Sequence, residues 1–295
     1  MRIVSLLPAA TDIVASLGAL DALVGRTHEC DWPPDALDAI PVVTATDLPD
    51  HLASREIAEA VGGGHRGSSI YQLDHALLAD LRPDLILTQD LCDVCAVSYH
   101  TVNDAVRAMD LDTRVLSLEP KTIEGIFTAV ETVADAVGAE NEATRVRADA
   151  ERRLSDLPRP AGVPPRVLFV EWLDPLMPGG HWVPEQVRHA GGVPLLLGPG
   201  EHSVPHPIET AMRADPDVIV FGPCGFGPQR TLAELDVARA WPGWSESSAV
   251  RSEQLWIVDG PAYFNRPGPR VVDGAEILAS ILSGADHPEA VRVTP

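Results

Sequence analysis

The residues best placed to do chemistry in this sequence are its four cysteines and their neighbours. Cys92 and Cys95 stand in a C-x2-C turn within "LTQDLCDVCAVS", just beyond an apolar run, and Cys30 and Cys224 each follow another such run. A C-x2-C turn points two sulfurs at one ion, and a tetrahedral zinc or an iron–sulfur cluster wants four thiolate or imidazole ligands. Cys30, Cys92, Cys95 and Cys224 make up that count, with His28 as a reserve ligand. Two other uses stay open. Cys95 lies just before the helical pattern "VSYHTVNDAVRAM", where a helix N-terminus would lower its thiol pKa and favour redox or covalent chemistry. All four also suit the part of small buried hydrophobes beside tight turns.

The elements that must position these residues alternate between two kinds. Short β-rich runs ("RIVSLL", "ALVGRT", "DLILTQ", "RVLSLE") are separated by amphipathic stretches such as "TIEGIFTAVETVADAVG". That alternation predicts α/β architecture with parallel sheets covered by helices. The pattern stops at residues 139–157, a charged stretch followed by "PRPAGVPP", and restarts with "RVLFVEWL". The chain therefore divides into an N-terminal α/β lobe over 1–138, a linking helix with a Pro-rich connection over 139–160, and a C-terminal α/β lobe over 161–295. The halves echo each other. "LLADLRPDLILTQDLC" and "AMRADPDVIVFGPC" both run from a helix end through Pro-Asp and an apolar strand to a cysteine.

Ligands of open parallel sheets sit outside the carboxyl ends of the strands. The side chains expected there are His28, Glu29, Cys30, Trp32, Cys92, Cys95 and Glu119 in the first half. In the second half they are Glu171, Trp172, Cys224, Tyr263, Phe264 and Arg266. His181 and Trp182 join them from the Gly-rich turn "PLMPGGHWVPEQ". Aromatic rings gathered at such an edge suit a large, flat, partly apolar ligand. The remaining histidines, His202 among them, show no helical metal-ligand spacing and read as surface or core residues. "GGGHRGSS" lacks the Lys-Ser/Thr ending of a phosphate loop and reads as a flexible insertion.

Composition narrows the partners. With 43 acidic against 22 basic residues the formal charge is -21, which repels nucleic acid and anionic lipid. No apolar stretch approaches the ~20 residues of a membrane span. "MRIVSLLPAATD" lacks the apolar core and cleavage pattern of an export signal, so the sequence reads as cytoplasmic, where thiols stay reduced.

The chain resembles the class III substrate-binding proteins that serve cobalamin, haem and siderophore importers, and most of all their cobalamin-binding branch. The resemblance rests on "RIVSLLPAATDIVASLG" (2–18), "LRPDLIL" (81–87), "GGHWVPEQVRHAGG" (179–192) and "YFNRPGPRVVDGAEILA" (263–279). It implies two α/β lobes joined by one long helix, with a corrinoid or similar metal chelate held in the cleft between them. It also implies docking on a transporter through an acidic residue on each lobe, with Glu209 at the second-lobe position. The leading expectation is a non-catalytic carrier of a small-molecule metal chelate. The competing one is a cytoplasmic metalloenzyme or metallochaperone whose cysteines hold zinc or an iron–sulfur cluster, with Glu29, Glu119 or Glu171 as acid or base.

Overall fold

The apolar runs form two main sheets in the protein, described from a computed structural model. The described residues are 1–46, 48–49, 51–62, 71–89, 102, 105–106 and 112–295. The chain divides into two compact units. The first comprises Met1–Leu52, Glu59–Pro120 and Glu124–Ala148, and the second Ala53–Ala58, Lys121–Ile123 and Asp149–Pro295.

In the first unit β1 (Ile3–Ser5), β2 (Leu23–Arg26), β5 (Leu85–Thr88) and β6 (Arg114–Ser117) form a wholly parallel sheet in the order β2-β1-β5-β6. A separate antiparallel pair joins β3 (Thr44–Thr46) to β4 (Tyr71–Leu73). Successive side chains of a strand point to opposite faces, and the two cores follow that period. Ile3, Leu85 and Leu87 pack with Ala10, Ile13, Val130 and Val133. Val4 and Ile86 pack with Val43 and Leu78 on the other side. A sheet covered on both faces explains why its strands read as unbroken apolar runs.

The second unit carries β7 (Arg166–Trp172), β8 (Met177–Pro178), β9 (Val193–Pro194), β10 (Val218–Phe221), β11 (Leu255–Val258) and β12 (Ala290–Arg292). Its order is β12-β11-β10-β7-β8, with β9 also on β7. The central strands β7, β10 and β11 are parallel, whereas β8 and β12 run antiparallel to their neighbours. No helix among the described residues is long and apolar enough to cross a membrane.

The echo between the halves has a physical basis. Both Pro-Asp turns follow a residue in the left-handed region, Arg82 (φ 43) and Asp215 (φ 45). In both, the Asp carboxylate accepts an amide at the start of the neighbouring parallel strand, from the residue before β1 in one case and the first residue of β7 in the other. Arg2 N donates to Asp84 Oδ2 at 2.7 Å, and Arg166 N donates to Asp217 Oδ2 at 2.8 Å. The return bonds match too, from Asp84 N to Arg2 O and from Asp217 N to Arg166 O. Aspartate thus satisfies a strand-end donor that the sheet leaves unpaired.

The predicted helix over 123–137 is present, and Gly138 ends it at φ +75, the left-handed conformation glycine takes at helix C-termini. The charged stretch forms the helix Glu140–Ser155, and the division between the two units falls inside it, between Ala148 and Asp149. On its first-unit portion Arg147 holds Glu124 at 2.9 Å and Glu131 at 2.7 Å, and on its second-unit portion Arg153 holds Glu276. A charged, weakly apolar sequence remains helical here because its cations are spent on neighbouring carboxylates.

Candidate functional site

The carboxyl ends of β7, β10 and β11 bring together most of the second-half residues singled out above. Trp172 is the last residue of β7 and half-buried. Its indole Nε1 donates to the Ser54 and Asp174 carbonyls, both at 3.2 Å, and its ring lies 5.1 Å from Phe226. The Ala53–Ala58 segment, part of this unit, is held there further by Arg55–Asp174 at 2.7 Å and by Ser54 N donating to Glu234 at 3.1 Å. Glu171 accepts the Gly180 amide at 3.0 Å, and its carbonyl accepts the Cys224 amide at 3.0 Å. Cys224 itself is partly exposed.

Beyond β11, Asp259 caps the helix Gly260–Tyr263 by accepting the Ala262 amide at 2.9 Å. The half-buried Tyr263 ring carries the Arg270 guanidinium 4.7 Å from its centroid, and burial pushes its hydroxyl pKa up. Phe264 and Trp182 serve differently. They are 0 % and 4 % exposed, so neither offers surface to a ligand in this conformation. Phe264 packs on Phe169, and Trp182 Nε1 donates to the Phe264 carbonyl at 2.7 Å. Both buttress the edge that Tyr263 occupies. Arg266 is likewise buried.

Two further residues support this edge and went unremarked in the sequence. Gln186 is fully buried, and its Nε2 donates to the Tyr263 carbonyl at 3.0 Å and the Val271 carbonyl at 2.8 Å. It ties the helices Val183–His189 and Val271–Ser283 to the Tyr263 loop. Gly274 lies beside it, where a Cβ would collide with Gln186 Nε2 and the Tyr263 carbonyl.

His181 sits at φ +51 in the turn before the helix Val183–His189. Its Nε2 lies 3.1 Å from Nδ1 of His202. Burial, the neighbouring His202 and Lys121 together push its pKa down to about 4. The folded form therefore binds fewer protons than the unfolded chain between about pH 6.5 and 4. Stability should fall as pH drops through that window and level off below it. The shift converts to about 3 kcal/mol at most, and partial exposure reduces this to about 1–2 kcal/mol. Urea unfolding of the wild type and of His181→Asn across the window checks this, the variant showing the flatter profile.

The first unit's strand ends hold a second group. His28 Nδ1 is 2.7 Å from Thr44 Oγ1, and its Nε2 is 3.3 Å from the exposed Glu29. Trp32 is half-buried and precedes a cis proline. Glu119 is exposed and accepts a bond from Ser117 Oγ at 2.7 Å. Cys30 is 5 % exposed inside the apolar core, with its sulfur 2.9 Å from Thr11 Oγ1. That is the setting of a small packed hydrophobe. Cys92 and Cys95, like the "GGGHRGSS" stretch, lie outside the described residues. Among the described residues no three His, Cys, Asp or Glu side chains group to hold a metal ion, so the expectation of zinc or an iron–sulfur cluster gains no support here.

Comparison with known proteins gives a consistent picture. Residues 3–262 match the family described as Periplasmic binding protein. The vitamin B12-binding protein of Vibrio cholerae is 25% identical over 288 residues, covering 95% of this chain and 88% of that protein. An uncharacterized ABC transporter substrate-binding lipoprotein, YvrC of Bacillus subtilis, is 22% identical over 95% of this chain and 79% of its own length. Among solved structures, a periplasmic heme binding protein from Pseudomonas aeruginosa superposes with a TM-score of 0.68 at 20% identity, covering 98% of this chain and 96% of that one. At that identity the superposition speaks for the fold. The family match runs through the parallel sheet of the first unit, β7 to β11 of the second and most of the strand-end loops, and on that ground the chain belongs to the periplasmic binding protein family.

Proposed function

We propose that this protein binds a corrinoid, or a closely related metal chelate such as haem, and does not transform it. The observation that carries this reading is the vitamin B12-binding relative, which aligns with nearly the whole chain. The geometry is compatible with it. Trp172 and Tyr263 present partly exposed rings at one sheet edge, and Arg270 stacked on Tyr263 adds a cation there. Planar macrocycles are gripped by such rings at little entropic cost. At the first unit's edge Trp32, Glu29 and Glu119 are the corresponding candidates.

Docking on an ABC transporter belongs to the same proposal. Glu209 is exposed in the first turn of the helix Ile208–Arg213.

Titrating the purified protein with cyanocobalamin and, separately, with hemin tests the reading. One equivalent of coloured ligand should co-elute with the protein on gel filtration, and Trp172→Ala should weaken binding about tenfold or more. Glu209→Arg should leave that affinity unchanged while reducing retention on transporter-containing vesicles. Failure to retain either chelate would overturn the proposed ligand class.

A further inference from the structure

His202 lies 21 residues from His181, yet the fold sets their imidazoles 3.1 Å apart, Nε2 to Nδ1, with the rings edge to face. The pair is built by two loops fastened along their backbones. His181 N donates to the Glu201 carbonyl at 2.6 Å, and Gly200 N donates to the His181 carbonyl at 2.8 Å. Ser203 Oγ reaches the Pro178 carbonyl, Gly180 N reaches Glu171, and the Glu201 carboxylate accepts the Gly198 amide. A Cβ at Gly180 would run into Ser203 N and the Glu201 carbonyl, so the loops touch as closely as backbone allows. His181 occupies the left-handed region at φ +51, an uncommon state for a non-glycine residue that surrounding structure must impose.

Two imidazole nitrogens bound to one ion at about 2.0–2.1 Å, with an angle near 95–100°, stand about 3.1 Å apart. The observed separation is therefore that of two cis ligands as well as that of a hydrogen bond. We propose that His181 and His202 form a two-imidazole site for a divalent transition ion of the nickel, copper and zinc kind, its other positions filled by water. Imidazole suits these ions. His202 is exposed, so an ion can reach the pair from solvent. Burial, with His202 and Lys121 close by, disfavours the protonated form of His181, and a metal ligand must be unprotonated. The proton shared between the rings moves to the outer nitrogen of whichever imidazole donates it, freeing both facing lone pairs for the ion. Lys121 is the charged group that opposes a cation here, and the chain's net charge of -21 favours one at longer range.

This site does not depend on the chelate reading and is tested without a chelate. Untagged protein with its accessible thiols alkylated is titrated with Ni2+ in a calorimeter. One equivalent should bind. His181→Asn, which keeps a residue tolerant of φ > 0, and His202→Ala should each weaken binding at least tenfold. The double variant should be no weaker than the worse single one, because either loss dismantles the pair. His51→Ala should bind as the wild type does. No uptake by the wild type, or uptake that survives either substitution, overturns the proposal.

Discussion

Phe264→Ala is expected to lower the stability of the second unit by about 3–5 kcal/mol, the range for removing a fully packed phenyl ring. Phe264 has no exposed surface, its ring rests 4.8 Å from that of Phe169, and its own backbone carbonyl accepts the Trp182 indole. Its loss opens a cavity beside Phe169 of β7 and Gly274 of the helix Val271–Ser283. Urea unfolding followed by tryptophan fluorescence should show an earlier midpoint with an unchanged slope. Phe264→Leu should recover most of the loss. The opposite pattern, with full stability and lost chelate binding, would make Phe264 a ligand contact instead.

Gly260→Ala is expected to cost about 1–3 kcal/mol, the usual toll of forcing a methyl group into filled space. A Cβ there would strike the Gly222 and Pro223 carbonyls and Asn265 Oδ1. Two of these are backbone atoms at the exit of β10, so relief must come from shifting the turn that carries Cys224. Gly227 provides the contrast. A Cβ there meets nothing within 4 Å, and Gly227→Ala should change stability by about 1 kcal/mol or less in either direction. Chemical denaturation of the two variants side by side checks the difference.

Much of this fold was legible because its determinants are local. Unbroken apolar runs such as "LILT" and "VIVF" announce strands buried on both faces, and both are wholly buried. Helical periodicity over 123–137 ends at a glycine that takes the left-handed conformation. The repeated Pro-Asp turn could be read as a repeat, and its carboxylate proves to serve the same strand-end amide in each unit.

The candidate site was legible only in part. The sequence listed side chains that follow strands, and position in the chain does not say which way they turn. Trp172 and Tyr263 keep exposed surface, whereas Trp182, Phe264 and Cys30 face inward. Helical spacing gives no sign of His202 as a ligand, because its partner lies across two loops rather than along one helix.

By itself, then, the sequence determined the α/β alternation and the doubling of the chain, since each is written in patterns of residues a few positions apart. Only the tertiary structure decided that Trp172 meets Ser54 across 118 residues, that Gln186 fastens the Tyr263 loop, and that two distant imidazoles converge. The reason is physical. Backbone propensity and hydrophobic period act over one turn or one strand, while the meeting of remote side chains depends on how whole elements close-pack, which no single stretch encodes.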